Sequence, residues 1–328
     1  MNRGNATDAS DVSIRPLLES DFEPVVALDR RITGGTRRGY FEQRLTAARR
    51  QPTRHVQLAA ATPSSIAGFL FARAAGGEFG RVEEALALEA IGVEPTLQHA
   101  GLGQRMMAEL GALGRARGIG SVVTQAVWRN HEMLRFLDGA GFRLASQQIL
   151  ERAVHRMPLP GTDEEIETLP PLVRHLREGD LDMIARIDKA MTGRDRAAYL
   201  KRKVDEALHE SPIVVSPVAE DDGFVVAFAM ARVDYGDFGH VEPTASLDTI
   251  GVNPAFGRRG FARAILTQMI DNMSALHVER LETEVARDNF ALFRFLHRFG
   301  FRPSERLPFS RALQAAWSPA SARPAREP

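Results

Sequence analysis

The sequence repeats itself at a fixed distance. Glu89-Ala90-Ile91-Gly92-Val93 returns 159 positions on as Asp248-Thr249-Ile250-Gly251-Val252. Gln98-His99-Ala100-Gly101-Leu102-Gly103 returns as Gly257-Arg258-Arg259-Gly260-Phe261-Ala262, Asn130 as Asn289, and Gly141-Phe142 as Gly300-Phe301, all at the same offset. A constant offset over so many landmarks leaves no room for net insertions between copies. Solenoid units run to about 20–50 residues, so a period of 159 in a chain of 328 residues implies two domains, each with its own core.

Each copy reads as the same alternation of elements. In the first, strands are expected at 12–16, 56–60, 66–73, 86–93 and 121–128, with a last one from Phe142. Helices are expected after Asp21, at 41–50, at 102–117 with Met106, Met107, Leu110 and Leu113 on one face, and at 132–140. The second copy gives strands at 172–176, 213–216, 224–233, 245–252 and 280–286, and helices at 181–190, 196–208, 261–276 and 290–299. Three consecutive strands imply an antiparallel meander, so the fold class is α/β with a mixed, mostly antiparallel sheet flanked by helices in each copy. The expected division is a first domain at 11–157, a Pro- and Gly-punctuated linker at 158–170 and a second domain at 171–316. Residues 1–10 and 317–328 read as unfolded tails.

Charge and composition exclude several classes. There are 42 basic and 42 acidic residues, so the basic excess of a general nucleic-acid binder is missing. No apolar run is long enough to span a bilayer, and Met1–Ser10 lacks the apolar stretch of a signal peptide. The expectation is a cytoplasmic protein, either a monomer with an internal pseudo-dimer or a homo-oligomer. With no cysteine, thiolate chemistry and cysteine metal sites are excluded, and no histidine or carboxylate cluster has metal-ligand spacing.

The chemistry-bearing motif is the junction of strand 86–93, a glycine-rich turn and the helix from Leu102, found again before Phe261. Glycines at a helix start let the backbone approach a ligand, and the free first-turn N–H groups with the helix dipole favour a phosphate. Neither a P-loop nor a Gly-x-Gly-x-x-Gly dinucleotide fingerprint is present. Inside the preceding apolar strands sit Glu89 and Asp248, ionisable groups that are costly there unless paired or used. Glu284 lies on the next strand, and its counterpart in the first copy is Gln125.

A strand ending Ile-Gly-Val-x-Pro, then Gln-x-x-Gly-x-Gly, a helix, a strand, an Asn, a helix and Gly-Phe together resemble the GNAT superfamily of N-acetyltransferases. The resemblance covers both copies and implies a tandem GNAT protein with acetyl-CoA as cofactor. It implies that the pyrophosphate lies on the amides of Ala100, Gly101, Leu102 and Gly103 beside Gln98 and His99. In the second copy it would lie on those of Arg259, Gly260, Phe261 and Ala262. Gly257 stands there where the family has Gln or Arg, with Arg258 and Arg259 as the available cations. The pantetheine arm would add to the strand edge at Ile91 and Val93, or Ile250 and Val252, and Asn130 and Asn289 match a family Asn at the cofactor arm.

The resemblance further implies a strand carboxylate (Glu89, Asp248 or Glu284) as general base for a primary amine. It also places the acceptor beside the segment between the first two helices, where Arg37 and Arg196 are candidates to hold a substrate anion. The Tyr that often serves as general acid is replaced by Leu137 and Leu296. The function expected is acetyl transfer from acetyl-CoA to an amine of a small molecule or peptide. The alternative is a CoA-binding regulatory or interaction module with one or both halves inactive. The acceptor, the acyl preference and the working half are not written in the sequence.

Overall fold

A computed structural model of the chain describes residues 12–63, 65–76, 84–154, 171–210, 215–234 and 243–313. The expected linker and tails lie outside them. Two seven-stranded sheets result, and each is built mainly from one half. The first half supplies β1 (Ser13–Pro16), α1 (Phe22–Thr33), α2 (Arg38–Arg50), β2 (His55–Ala61), β3 (Ile66–Ala75) and β4 (Ala85–Val93). It continues with α3 (Leu102–Ala116), β5 (Ser121–Val127), α4 (His131–Gly139), β6 (Arg143–Leu144) and β7 (Gln147–Ala153). The second half supplies β8 (Leu172–His175), α5 (Leu181–Thr192), α6 (Ala197–Asp205), β9 (Pro217–Asp221), β10 (Phe224–Asp234) and β11 (Thr244–Val252). After these come α7 (Phe261–Ala275), β12 (Arg280–Ala286), α8 (Phe290–Arg298), β13 (Arg302–Pro303) and β14 (Arg306–Ala312).

Strands β1 to β4 form the antiparallel meander that the strand run predicts, and β8 to β11 repeat it. One sheet face packs on α3, through Met106, Met107 and Leu110, or on α7, through Ile265, Leu266 and Met269. The other face packs on α5 and α6, or on α1 and α2, where Phe69 meets Phe41 and Phe71 edge to face.

The sheets exchange their last strands. In the first, β14 runs antiparallel to β5, with Arg306 opposite Val127 and Ala312 opposite Ser121, and it separates β5 from β6. In the second, β7 runs antiparallel to β12, with Ala286 opposite Gln147 and Arg280 opposite Ala153, and it separates β12 from β13. The cores follow the strands: Leu150 and Val154 are buried in the second, Leu313 in the first. Sequence periodicity carries no sign of this, because a strand's alternation is the same whichever sheet receives it.

One described strand begins later than the sequence suggests. The described strand β9 is Pro217–Asp221, and the first two residues of the strand expected at 213–216 lie outside the described residues. Asp222 and Gly223 adopt φ of +50° and +80°, and Asp221 faces Phe224 across this two-residue loop, a tight hairpin turn whose Asp-Gly signature fixes the preceding strand's end.

The parallel pair β4–β5 is hydrogen-bonded only where Ala85–Ala87 meet Ser121–Val123, and β11–β12 only where Thr244–Ser246 meet Arg280–Glu282. Beyond these points the strands part. At each gap a threonine replaces the lost ladder: Thr124 donates to the Leu88 carbonyl (2.8 Å) and Thr283 to that of Leu247 (2.9 Å). Each sheet therefore holds a V-shaped opening midway along its width.

The strand exchange makes each half incomplete alone. Fragments 1–157 and 171–328 expressed separately are expected to be poorly soluble and to lack a cooperative melt, and co-expression is expected to restore one. Circular dichroism and co-purification check this; two independently cooperative fragments would show that each sheet tolerates the loss of its borrowed strand.

Candidate functional site

A β-bulge sets the position of the strand carboxylates. Between Phe71 and Ala72 the β3–β4 register slips so that Glu89 is the extra residue, and between Met230 and Ala231 the β10–β11 register slips at Asp248. The bulge turns both carboxylates toward the α1–α2 or α5–α6 face, into the interior. Glu89 is 2% exposed and lies between Arg44 (2.9 Å) on α2 and Arg73 (2.5 Å) on β3. Asp248 is 9% exposed and pairs with Lys203 (3.0 Å) on α6. Lys203 stands 159 positions after Arg44, and Arg232 159 after Arg73.

The copies diverge at Glu206, which opens a π-helical turn (Glu206–Glu210) after α6. Its carboxylate accepts from Lys203 (2.7 Å) and, across the boundary between halves, from Arg54 (3.0 Å). Burial alone would raise the Glu206 pKa, but the charges of Lys203, Arg73 and Arg54 outweigh it and hold the pKa well below the usual carboxylate range. His55 on β2 feels the same cluster. Burial first, then Arg44, Arg73 and Arg54, lower its pKa to about 3, so it is neutral at physiological pH.

The glycine-rich turns have matching geometry. Gly101 and Gly260 precede α3 and α7 with φ of +79° and +84°, and His99 and Arg258 adopt φ of +65° and +61°. Two left-handed residues alternating with ordinary ones curl the backbone into a concavity ahead of the helix, where first-turn N–H groups have no intrahelical acceptor. A Cβ at Gly101 or Gly260 would meet nothing within 4 Å, so that side is open to a ligand. Gly103 is glycine for another reason: a Cβ there would lie 2.7 Å from the Phe136 ring. Gln98 bonds the Val93 carbonyl (3.4 Å), a contact that Gly257 cannot make. Arg259 pairs with Asp221 (3.2 Å) and lies over Phe256 and Phe261, so it does not substitute for that contact. Ala100, Leu102, Phe261 and Ala262 contribute backbone to the two turns, and Ile91, Val93, Ile250 and Val252 line the parted strand ends, half-buried. The Val252 N–H donates to the Met191 sulfur (3.2 Å). Asn130 and Asn289 cap α4 and α8 by accepting from Met133 (3.0 Å) and Leu292 (3.2 Å).

Arg37 and Arg196, read from sequence as anion holders for a substrate, are engaged elsewhere. Arg37 is 5% exposed, forks onto Asp29 of α1 and stacks on Tyr40 and Phe41. Arg196 forks onto Asp188 and stacks on Tyr199. These pairs lock the corner between the first two helices, behind the left-handed C-cap glycines Gly34 and Gly193. The repeated Thr-Gly-x-x-Arg pattern is therefore accounted for by packing. Leu137 and Leu296 are buried in the cores, as are Tyr40 and Tyr199 between helix and sheet.

The two V-shaped openings meet at one cavity of about 90 Å³ between the halves. The first half contributes Arg73, Val123 and Gln125, and the second contributes Arg232, Asp248 and Glu284. Gln125 and Glu284 are counterparts. Asp248 borders the cavity and Glu89 does not. The sequence reading missed Arg73, Lys203 and Arg232; the 159-residue offset marks all three as basic in both copies.

Residues 181–301 match the Acetyltransferase (GNAT) family. The fold matches over nearly the whole chain. A GCN5-related N-acetyltransferase from Sphaerobacter thermophilus superposes with a TM-score of 0.60 at 15% identity, covering 93% of this chain and 96% of that one. A tandem GNAT protein from the clavulanic acid biosynthesis pathway gives 0.63 at 13% identity, covering 93% and 99%. The chain thus has the fold of tandem GNAT proteins, and the stretch that is similar in sequence to the GNAT family lies in its C-terminal half. In sequence it is 26% identical over 206 residues to a mycothiol acetyltransferase of Propionibacterium freudenreichii subsp. shermanii, a match spanning 57% of this chain and 64% of that relative's length.

Two outcomes are expected. His55 has a folded pKa near 3, below the ordinary histidine value of 6.5, so its contribution is fully present above pH 6.5 and is lost as pH falls toward 3. Replacing His55 by Gln should reduce the loss of stability between pH 7 and 5 by about 2 kcal/mol, read from urea unfolding at the two pH values. Gly101→Val and Gly260→Val each force a branched residue into left-handed backbone, costing about 1–2 kcal/mol, and also fill the open side of the turn. If the turns hold the acetyl-CoA pyrophosphate, as the resemblance implies, each substitution is expected to remove binding in its own half alone, seen calorimetrically as a change in stoichiometry.

Proposed function

We propose that the chain moves an acetyl group from acetyl-CoA to a primary amine and that the C-terminal half carries out the transfer, with Asp248 as general base. The observation that carries this is the difference between the two bulge carboxylates. Glu89 is enclosed by two guanidinium groups, whereas Asp248 has one ammonium partner and borders the cavity between the halves. The family match over residues 181–301 falls on the same half.

Acetyl-CoA supplies an acyl thioester. The amides from Arg259 to Ala262 at the start of α7 suit its pyrophosphate, and the open side of Gly260 leaves space for it. The edge of β11 at Ile250 and Val252, exposed by the parting from β12, suits the amide-rich arm. The Val252 N–H, which rests on the weakly accepting Met191 thioether, is the backbone donor that would face an acyl carbonyl oxygen. Asp248 takes the proton as the amine nitrogen attacks.

The N-terminal half keeps the full Gln-x-x-Gly-x-Gly signature at Gln98, Gly101 and Gly103, but among its described residues no carboxylate borders the cavity. This favours a CoA-binding role there without turnover.

Asp248→Asn should lower kcat by about 10²-fold or more with little change in melting temperature, because Lys203 keeps Glu206. Glu89→Gln should instead destabilise the fold by about 3–5 kcal/mol, leaving Arg44 and Arg73 under-compensated, with kcat largely retained. Thiol release from acetyl-CoA over an amine panel, alongside thermal melts, separates the two. Full turnover by Asp248→Asn would falsify the assignment.

A further inference from the structure

A chain of ion pairs crosses from the first half to the strand carboxylate of the second. The end of α2 and the loop behind it reach the turn that follows α6. Arg50 donates to the His209 carbonyl (3.1 Å), Gln51 to the Asp205 carboxylate (3.0 Å) and Arg54 to Glu206 (3.0 Å). Arg54 also donates to the Ala74 carbonyl (2.8 Å) and to Gln51 (3.3 Å), so its guanidinium is fixed within its own half. Glu206 shares the Lys203 ammonium with Asp248: it lies 2.7 Å from the first carboxylate and 3.0 Å from the second. Glu206 and Lys203 are each 4% exposed, so water does little to screen either. Two carboxylates on one ammonium leave a negative excess, and Arg54 is the cation that reaches it from across the boundary. The sequence holds no mirror image of this chain. The positions 159 residues from Glu206 and Arg54 hold Ala47 and Ile213, neither of them charged. Glu89 instead pairs with Arg44 and Arg73 of its own half. The link therefore ends on only one of the two strand carboxylates.

We infer that Arg54 and Glu206 are positioning residues for Asp248: Arg54 of the N-terminal half holds Glu206, and so determines how much of the Lys203 charge is left to the base of the C-terminal half. The inference rests on the reading of Asp248 as general base. A base must be ionised to take a proton and basic enough to hold it, and its share of Lys203 bears on both. With Arg54 in place, Glu206 divides its charge between two hydrogen-bonded cations. Without Arg54, Lys203 and Arg73 still keep Glu206 ionised, but Glu206 draws harder on Lys203, and Asp248 keeps a proton more readily. Without the Glu206 charge, Lys203 turns to Asp248, which then releases a proton more readily. The other charged groups bordering the cavity with Asp248 are Arg73 of β3, Arg232 of β10, and Glu282 and Glu284 of β12. They are common to every variant below, and His55 of β2 stays neutral down to about pH 3.

The acidic limb of the kcat profile, followed by thiol release with one amine throughout, reads this link, because kcat reports the groups of the enzyme–substrate complex. Arg54→Gln should move the limb up by about half a pH unit or more, and Glu206→Gln should move it down by a similar amount. Arg54→Lys keeps the charge and should move it less than Arg54→Gln does. In the Glu206→Gln background, Arg54→Gln should have little further effect, because its path to Asp248 is gone. Residues needed only for folding would lower the melting temperature and leave the limb where it is. A limb unmoved in both single variants, or moved equally by Arg54→Gln in both backgrounds, overturns the inference. If Glu206→Gln does not fold, Arg54→Gln against Arg54→Lys carries the test, and equal limbs overturn it. If Asp248→Asn keeps full turnover, the general-base reading fails instead, and urea unfolding at neutral pH decides the link. Asp248→Asn should then cost more stability in the Glu206→Gln background, where Lys203 has lost Glu206 as well, than in the parent protein; equal costs remove the link.

Discussion

The structure depends on how two buried strand carboxylates are neutralised. The bulges in β4 and β11 turn Glu89 and Asp248 into the interior, where an unpaired carboxylate is too costly to keep ionised. Cations must come from whatever packs against that face. In the first half these are Arg44 of α2 and Arg73 of β3; in the second the helix cation is Lys203 of α6. Each second helix is thereby fixed against its sheet, and the Arg37–Asp29 and Arg196–Asp188 forks fix the corner leading into it. A planar guanidinium satisfies a carboxylate along both oxygens, whereas an ammonium is a point donor. The exchange of Arg44 for Lys203 leaves Asp248 less enclosed than Glu89, and Glu206 takes a share of the Lys203 charge.

Much of this was legible in the sequence for a physical reason: backbone requirements leave marks on residue type. Left-handed turns before α3 and α7 demand glycine at 101 and 260, and the helix caps at 130 and 289 demand a short acceptor side chain. The apolar runs of β4 and β11 stand out because both faces are buried. Contacts between distant elements leave no such marks. The strand exchange was invisible because β7 and β14 have the same alternation and the same kind of partner in either sheet. Arg37 and Arg196 looked like ligand groups because a buried, forked ion pair and an anion site use the same residue type. What separates them is Asp29 and Asp188, eight positions upstream on α1 and α5, which only the helix–turn–helix corner brings into reach.

The two halves have kept different parts of one site. The first retains Gln98, which ties the turn to the end of β4, while its strand carboxylate is sealed. The second has lost that tie, with Gly257 in its place, but keeps a carboxylate at the open gap of the sheet. Backbone geometry is nearly the same in both, as the paired positive φ values at 99 and 258 and at 101 and 260 show. Divergence has acted on side chains around a conserved backbone frame.

The exchanged strands give this divergence its setting. β7 pairs with β12 along its full length, placing Ile149 beside Glu284 at the cavity wall. β14 does the same for β5 beside Gln125. Each parted strand is therefore backed by a strand from the other half, and neither V-shaped opening can widen without disturbing both sheets. The cavity between them is consequently a property of the whole chain. A charge change in one half, such as Gln125 against Glu284, alters the surroundings of groups in the other. That coupling holds both halves under one structural constraint while, among the described residues, the carboxylates bordering the cavity all come from the C-terminal half.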